Sequence, residues 1–284
     1  MIRSILLWLL VLLFAIDTVT GVFRDELLLT VLGLVVMVAF VFLHGGLRYG
    51  AIGIAIFAAI CLAVSNVFEN MGVATGFPFG PYHYTDALGP KLLYVPLMIG
   101  PAYLSVGYLA WTLSSILVGG VRRNADTLST FATPFIAAFI MVLWDLAMDP
   151  ASSTIQKLWI WEKGGGFFGV PLSNYVGWFL TVYVFMQLFA FYLRARGPEV
   201  DPPQPKAYYA QAIAMYAIVA INYVLVYRVS ASTPVSDATG AVWQSGDIFQ
   251  TAAITSLLTM AFVVALTALT VARSNTERGE PHER

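Results

Sequence analysis

Asp145 and Asp149 stand four residues apart in "MVLWDLAMDP". That is about one helical turn, so both carboxyls fall on one helix face. Two carboxyls held together in a dry place do not both ionise cheaply. One keeps its proton while the other stays ready to accept one. A donor beside an acceptor is the equipment of proton transfer. Pro150 is expected to stop the helix there. The competing reading is a plain helix end, with Asp149 in water and Asp145 paired to a neighbour. A third carboxyl, Glu69, ends an apolar run in "SNVFEN". Ser65 and Asn66 precede it by four and three residues and share its face on a continuing helix. Glu69 therefore reads as a pocket carboxyl oriented by an amide, or as a helix-end group meeting interfacial water.

Around these acids the chain carries amides and aromatic rings. "WIWEKGGGFFGVPLSNYVGW" holds Trp159, Trp161 and Trp178, with Gly164, Gly165 and Gly166 for a sharp reversal and Asn174 as both donor and acceptor. Singly, each Trp also suits the interfacial aromatic belt of a membrane protein. "PYHYTD" adds Tyr82, His83, Tyr84 and Asp86. Asp17 is alone in its apolar run and faces a cavity or caps a helix end beside Thr18. His44 precedes two glycines at a basic helix end and reads as a solvated histidine.

The elements that position these groups follow from composition. The 284 residues are 59% hydrophobic and 11% charged, where a soluble domain carries about 25% charged residues. Such a chain is an all-α polytopic integral membrane protein. About eight spans are expected: Ser4–Thr20, Leu27–Leu43, Ala51–Val67, Leu92–Val118, Leu128–Met148, Pro171–Leu193, Tyr208–Arg228 and Ile248–Ala272. The first could pass for a signal peptide but lacks a small-x-small cleavage site, so it reads as a span. Residues 1–272 form one transmembrane domain, and 273–284 a charged, disordered tail. Arg3, Arg48, Arg122, Arg123, Arg194, Arg196, Lys206, Arg273, Arg278 and Arg284 lie at one set of ends. Arg24, Lys91, Lys157, Lys163 and Arg228 lie at the other. This bias places both termini in the cytoplasm of a cell-membrane protein. The Gly-, Pro- and aromatic-rich connectors 68–91 and 149–169 then lie near the opposite face, too apolar to be free loops. They are expected to fold back over the bundle or re-enter it, lining a cavity.

Several chemistries are excluded. Three His cannot assemble a His-rich di-iron box. No GxGxxG or Walker motif is present, and a net charge of −1 offers nothing to nucleic acid. The single Cys61 forms no intramolecular disulfide. A DxxxD spacing is shared with membrane prenyltransferases, which need a second acidic cluster; "SNVFEN" supplies one acid only. Carboxyls, amides and aromatic faces remain, without redox or metal equipment. Protonation of an isolated alkene suits them. The acid delivers a proton, aromatic faces hold the tertiary cation, and a water polarised by the partner carboxylate attacks it.

"NVFENMGVATGFPFGPYHYTDALGPKL", "VPLMIGPAYL", "LWDLAMDP" and "WIWEKGGGFFGVPLSNYVGW" together resemble the membrane carotenoid 1,2-hydratase family, the bisanhydrobacterioruberin hydratase and γ-carotene 1′-hydratase type. The resemblance runs from about Ser65 to Trp178. It implies addition of water across the terminal 1,2 double bond of an acyclic carotenoid end, without a cofactor. Partners would be the long apolar carotenoid, water and membrane lipid. Residue roles come from the chemistry alone. Glu69, Asp145 and Asp149 form the acid–base set; Asn66, Asn70 and Asn174 orient water or carboxyls; Tyr82, His83, Tyr84, Trp144, Trp161 and Trp178 line the end-group pocket. A lycopene-type cyclase starts from the same protonation and quenches the cation with an internal alkene. A transporter or a pigment-binding scaffold would leave the carotenoid unchanged.

Overall fold

The computed structural model describes residues 2–24, 27–200 and 202–274. Among them, seven helices are long and apolar enough to cross a membrane. The chain is thus an all-α polytopic membrane protein, in which the helix satisfies every backbone N–H and C=O within its own segment. Helix α1 (Ile2–Phe23) turns Leu6, Leu9, Leu13 and Ile16 outward, while Leu7, Val11 and Phe14 face the bundle. The outward stripe is what lipid contact requires. Helix α2 (Leu27–Thr75) is interrupted at Gly50, whose φ of 69° and ψ of 172° are not helical. A Cβ on Gly45 would meet the Ile54 side chain at 2.5 Å, so the chain turns back here rather than running on. The two arms coincide with the expected second and third spans, and the second continues past Val67 to Thr75.

The next span is shorter than expected. Helix α3 (Ile99–Val118) begins seven residues after Leu92. The intervening residues form a hairpin of β2 (Lys91–Leu92) and β3 (Val95–Pro96). Leu93 takes a φ of 57°, and the prolines at 90 and 96 cannot donate helix hydrogen bonds. Tyr103 through Ser115 are buried without a break, so α3 is the central helix, packed against α2, α4 and α6. Helix α4 (Thr127–Pro150) does not stop at Pro150. It runs on through a π-helical turn, Ala151–Ile155. The wider turn accommodates the missing proline N–H.

Helices α5 (Leu172–Arg196) and α6 (Lys206–Val229) follow, then α7 (Ser245–Thr255), a π-turn at Ser256–Met260 and α8 (Ala261–Arg273) as one run. Strands β5 (Pro234–Ser236) and β6 (Val242–Gln244) make a hairpin before α7. Of the expected charged tail, Arg273 closes α8 and residues 275–284 lie outside the described residues.

The two connectors do fold back over the bundle, and they pair with each other. β1 (Tyr82–Tyr84) runs antiparallel to β4 (Trp159–Trp161), with Tyr82 opposite Trp161 and Tyr84 opposite Trp159. Phe79 anchors this strap between two glycines. A Cβ on Gly72 of α2 would sit 2.6 Å from its ring, and one on Gly177 of α5 2.7 Å away. In a bilayer, lipid tails are as apolar as leucine, so close packing rather than water exclusion holds helices together. Small residues at these two positions let the ring seat fully.

Candidate active site

The β1–β4 pair sets the geometry. Successive strand residues point to opposite faces, so Tyr82, Tyr84, Trp159 and Trp161 all turn inward. His83 points out and stands 3.3 Å from Glu162, its side chain 53% exposed. It is therefore not part of the pocket expected for it; its place between two inward tyrosines forces it to the other face.

Glu69 lies inside the second arm of α2, 3% exposed. It is not a helix-end group. Three phenols converge on it. Tyr82 donates to Oε2 at 2.5 Å, Tyr84 to Oε2 at 2.8 Å and Tyr103 to Oε1 at 2.7 Å. Asp149 is 1% exposed and accepts from Trp159 Nε1 at 2.7 Å and Trp161 Nε1 at 3.3 Å, both on Oδ1. Its Oδ2 accepts from Asn174 Nδ2 at 2.5 Å. The same amide nitrogen donates to Asp145 Oδ2 at 3.0 Å. Asn174 thus bridges the two carboxyls, while Asp145 Oδ1 is buried and has no hydrogen-bond partner among the described residues. Among the described residues, all three acids are hydrogen-bonded by uncharged donors.

These groups border one cavity of about 450 Å³. Glu69, Asp149 and Asn174 lie on its wall, together with Tyr82, Tyr84, Tyr103, Trp144, Trp159, Trp161 and Trp178. Asp145 stands behind Asn174 rather than on the surface of the cavity. Tyr103 stacks on Trp178 with centroids 4.2 Å apart, and Trp144 meets Trp178 edge-on at 5.8 Å. Apolar residues such as Leu34, Met37, Leu88 and Val106 share the rest of the wall with Asp17, Arg24, Gln156 and Asn222. Among the described residues, no group of three or more His, Cys, Asp or Glu is arranged to hold a metal ion.

Asn66 and Asn70 lie outside this cavity. Asn70 Nδ2 donates to the Asn66 carbonyl at 2.8 Å and to Asn66 Oδ1 at 3.1 Å, and its own Oδ1 accepts from Tyr94 N–H at 3.0 Å. Each amide finds its partner one turn away, so neither reaches Glu69. His44 is buried, not solvated. Its Nδ1 is 2.5 Å from Tyr108 OH and its Nε2 2.8 Å from the Tyr208 carbonyl, with the ring stacked on Tyr208 at 3.7 Å. Tyrosines from α3 and α6 enclose it, which residue spacing within α2 does not reveal.

Tyr103 and the hydrogen-bonding role of Trp159 are further additions of the structure. Tyr103 sits in "GPAYL", the first of two phenols, with Tyr108, in a long apolar run, and that is the local signal it carries. Nothing near it in sequence points to Glu69, which lies 34 residues away.

A family model described as "Carotenoid biosynthesis protein" matches residues 26–241. The chain is also similar to a bisanhydrobacterioruberin hydratase of Haloarcula japonica, 38% identical over 128 residues. That match covers 43% of this chain, and the chain spans 40% of that relative's length. No solved structure matches.

Proposed function

The chain belongs to the carotenoid biosynthesis protein family, and from that premise we propose that it hydrates the terminal double bond of an acyclic carotenoid end. The observation that carries this reading is the pairing of Glu69 and Asp149 on one cavity wall, each held by uncharged donors, opposite aromatic faces. The relative is named a bisanhydrobacterioruberin hydratase, which supports the same chemistry here. Bisanhydrobacterioruberin and γ-carotene or lycopene-type ends are the candidate substrates.

The Asp145–Asp149 pair holds one proton between its two carboxyls, because two charges bridged by a single amide in a dry site repel. Asp149 faces the cavity and delivers that proton to the less substituted alkene carbon. The π electrons form the new C–H bond and leave a tertiary cation. Trp161, Trp178 and the tyrosine rings stabilise the cation through their faces. Glu69, fixed by three phenols, orients a water and takes its proton as the oxygen attacks. The product is a tertiary alcohol. A proton then returns from Glu69 to the aspartate pair through water, and the site is restored. The alkene and one water are the only materials consumed. Both termini lie in the cytoplasm, and the cavity lies toward the opposite face. A cavity of about 450 Å³ admits an end group, while the polyene extends along the membrane.

The test is co-expression with acyclic carotenoids in a host that makes them, with product masses measured. A gain of one water per reacting end is the expected result. Unchanged mass with a shifted absorption spectrum identifies a cyclase and overturns hydration. No change with lycopene, γ-carotene or bisanhydrobacterioruberin overturns the enzyme reading.

A further inference from the structure

The carboxyl cavity lies toward one end of the helices. A second cavity, of about 450 Å³, lies at the other end, beside the kink at Gly50. Glu69 is nineteen residues further along α2 from that kink, roughly 28 Å at about 1.5 Å per residue. Among the described residues, three guanidinium groups and no carboxylate line this second cavity. Arg48 comes from the first arm of α2, Arg123 from the loop between α3 and α4, and Arg196 from the last turn of α5. Their placement is specific. Arg48 is 7% exposed, with its guanidinium 5.3 Å from the centre of the Tyr49 ring. A Cβ on Gly120, whose φ is 74°, would stand 2.6 Å from Arg48 Nη2, so glycine leaves that guanidinium its seat. Arg123 Nε donates to the Gly197 carbonyl at 3.0 Å, and its backbone N–H to the Pro198 carbonyl at 3.0 Å. Asn124 N–H donates to the Arg194 carbonyl at 3.0 Å. These bonds pin the α3–α4 loop to the end of α5 and hold Arg123 and Arg196 at the same cavity.

Like charges drawn together from three segments repel, and an anion among them relieves the repulsion. Segments 119–126 and 194–202, with Arg48, carry Arg48, Arg122, Arg123, Arg194 and Arg196 against Asp126, Glu199 and Asp201. Asp126 is engaged at the start of α4, accepting from the Ser129 N–H at 2.8 Å and its hydroxyl at 2.7 Å. Glu199 meets Arg123 at 3.2 Å on the exposed surface. Positive charge is therefore in excess around the cavity. A guanidinium is planar and forked, and it matches two oxygens of a phosphate at once. We propose that this cavity binds a phosphate-bearing anion, either the headgroup of an anionic phospholipid or free inorganic phosphate. The bilayer offers the first at the face where basic residues concentrate. The site lies apart from the three acids, so it stands or falls independently of the hydration reading.

The purified chain in detergent is offered dioleoylphosphatidylglycerol, dioleoylphosphatidylcholine or inorganic phosphate. Bound lipid is counted by native mass spectrometry, and the effect of phosphate is read as a shift in unfolding temperature. Phosphatidylglycerol is expected to be retained about twentyfold more strongly than phosphatidylcholine, and Arg123→Gln and Arg196→Gln each to cut that preference about fivefold. Both side chains are exposed, so neither variant removes core packing. Lys163→Gln, an equal loss of charge on an exposed residue after β4, is expected to change nothing. A lipid preference that depends on the arginines assigns the site to the headgroup. Stabilisation by phosphate that depends on them, without a lipid preference, assigns it to the free ion. Absence of both effects overturns the proposal. So does either effect surviving both arginine substitutions, which leaves the arginines as partners of the carbonyl ends of α3 and α5. An equal loss in Lys163→Gln overturns it as well, because net charge and not a site would then set the preference.

Discussion

Tyr103 lies parallel to Trp178, ring on ring at 4.2 Å with an interplanar angle of 2°, while its hydroxyl donates to Glu69 Oε1 at 2.7 Å. The stack fixes the phenol, and the phenol fixes the carboxylate. Two roles can therefore be separated. Tyr103→Phe keeps the ring and removes the donor. Under the proposed mechanism its turnover falls about tenfold to a hundredfold, since one oriented donor is lost at a charged group. Trp178→Leu removes the stack and an aromatic face together and is expected to fall further. Product formation per enzyme from a co-expressed acyclic carotenoid measures both; an active Trp178→Leu would remove cation stabilisation from the account.

Among the described residues, Asn174 alone donates to both Asp145 and Asp149. Asn174→Leu leaves two buried carboxyls without that amide, and each unmet group costs about 1–3 kcal/mol. The expected outcome is a lower unfolding temperature in detergent together with loss of turnover. Asn174→Asp keeps the volume but adds a third acid to the pair, and should be at least as damaging. Unchanged thermal stability in both variants would show that the bridge contributes little.

Asp149 faces the cavity and Asp145 stands behind the amide, so their substitutions should differ in kind. Asp149→Asn removes the proposed donor and abolishes hydration. Asp145→Asn also abolishes it, because Asp149 no longer shares a proton with a second carboxyl, yet the protein still inserts and folds. Substrate binding, followed by tryptophan quenching, should persist in Asp145→Asn. Full activity in that variant would remove Asp145 from the mechanism.

The hairpin before α7 carries a pH-dependent tie. Burial alone would raise the Asp237 carboxyl, but hydrogen bonds from Thr239, Trp243 and the amide of Ala241 outweigh it and hold it below the ordinary carboxylate range. A depressed value means the tie is fully present above the ordinary range and is lost as pH falls through the depressed one. Lys157 donates to the Ser236 carbonyl beside it, and Phe168 packs edge-on to Trp243 at 5.4 Å. Protection of the Thr239 and Ala241 amides, taken relative to intrinsic exchange at each pH, should therefore fall on acidification, and Asp237→Asn should flatten that dependence. Wild-type protection that does not change with acid would contradict it.

Membrane embedding, helical class and most span positions were legible in the sequence, because unbroken apolar runs have one stable backbone solution in lipid. The carboxyls were legible for the same reason: an acid at membrane depth stands out against leucine and valine. Their partners were not. Tyr103 and Glu69 meet only because α3 packs on α2, and Asn174 reaches both aspartates only because α5 packs on α4. Strand register decided that Tyr82 and Tyr84 enter while His83 leaves. Asn66 and Asn70, plausible by spacing, are consumed by each other and by the Tyr94 amide. The π-turn after Pro150 carried the helix on where the residue itself suggested a stop. Local spacing determines which side chains share a face. Which face meets which is a property of helix packing and strand pairing between residues far apart in the chain, and only the tertiary structure decides it.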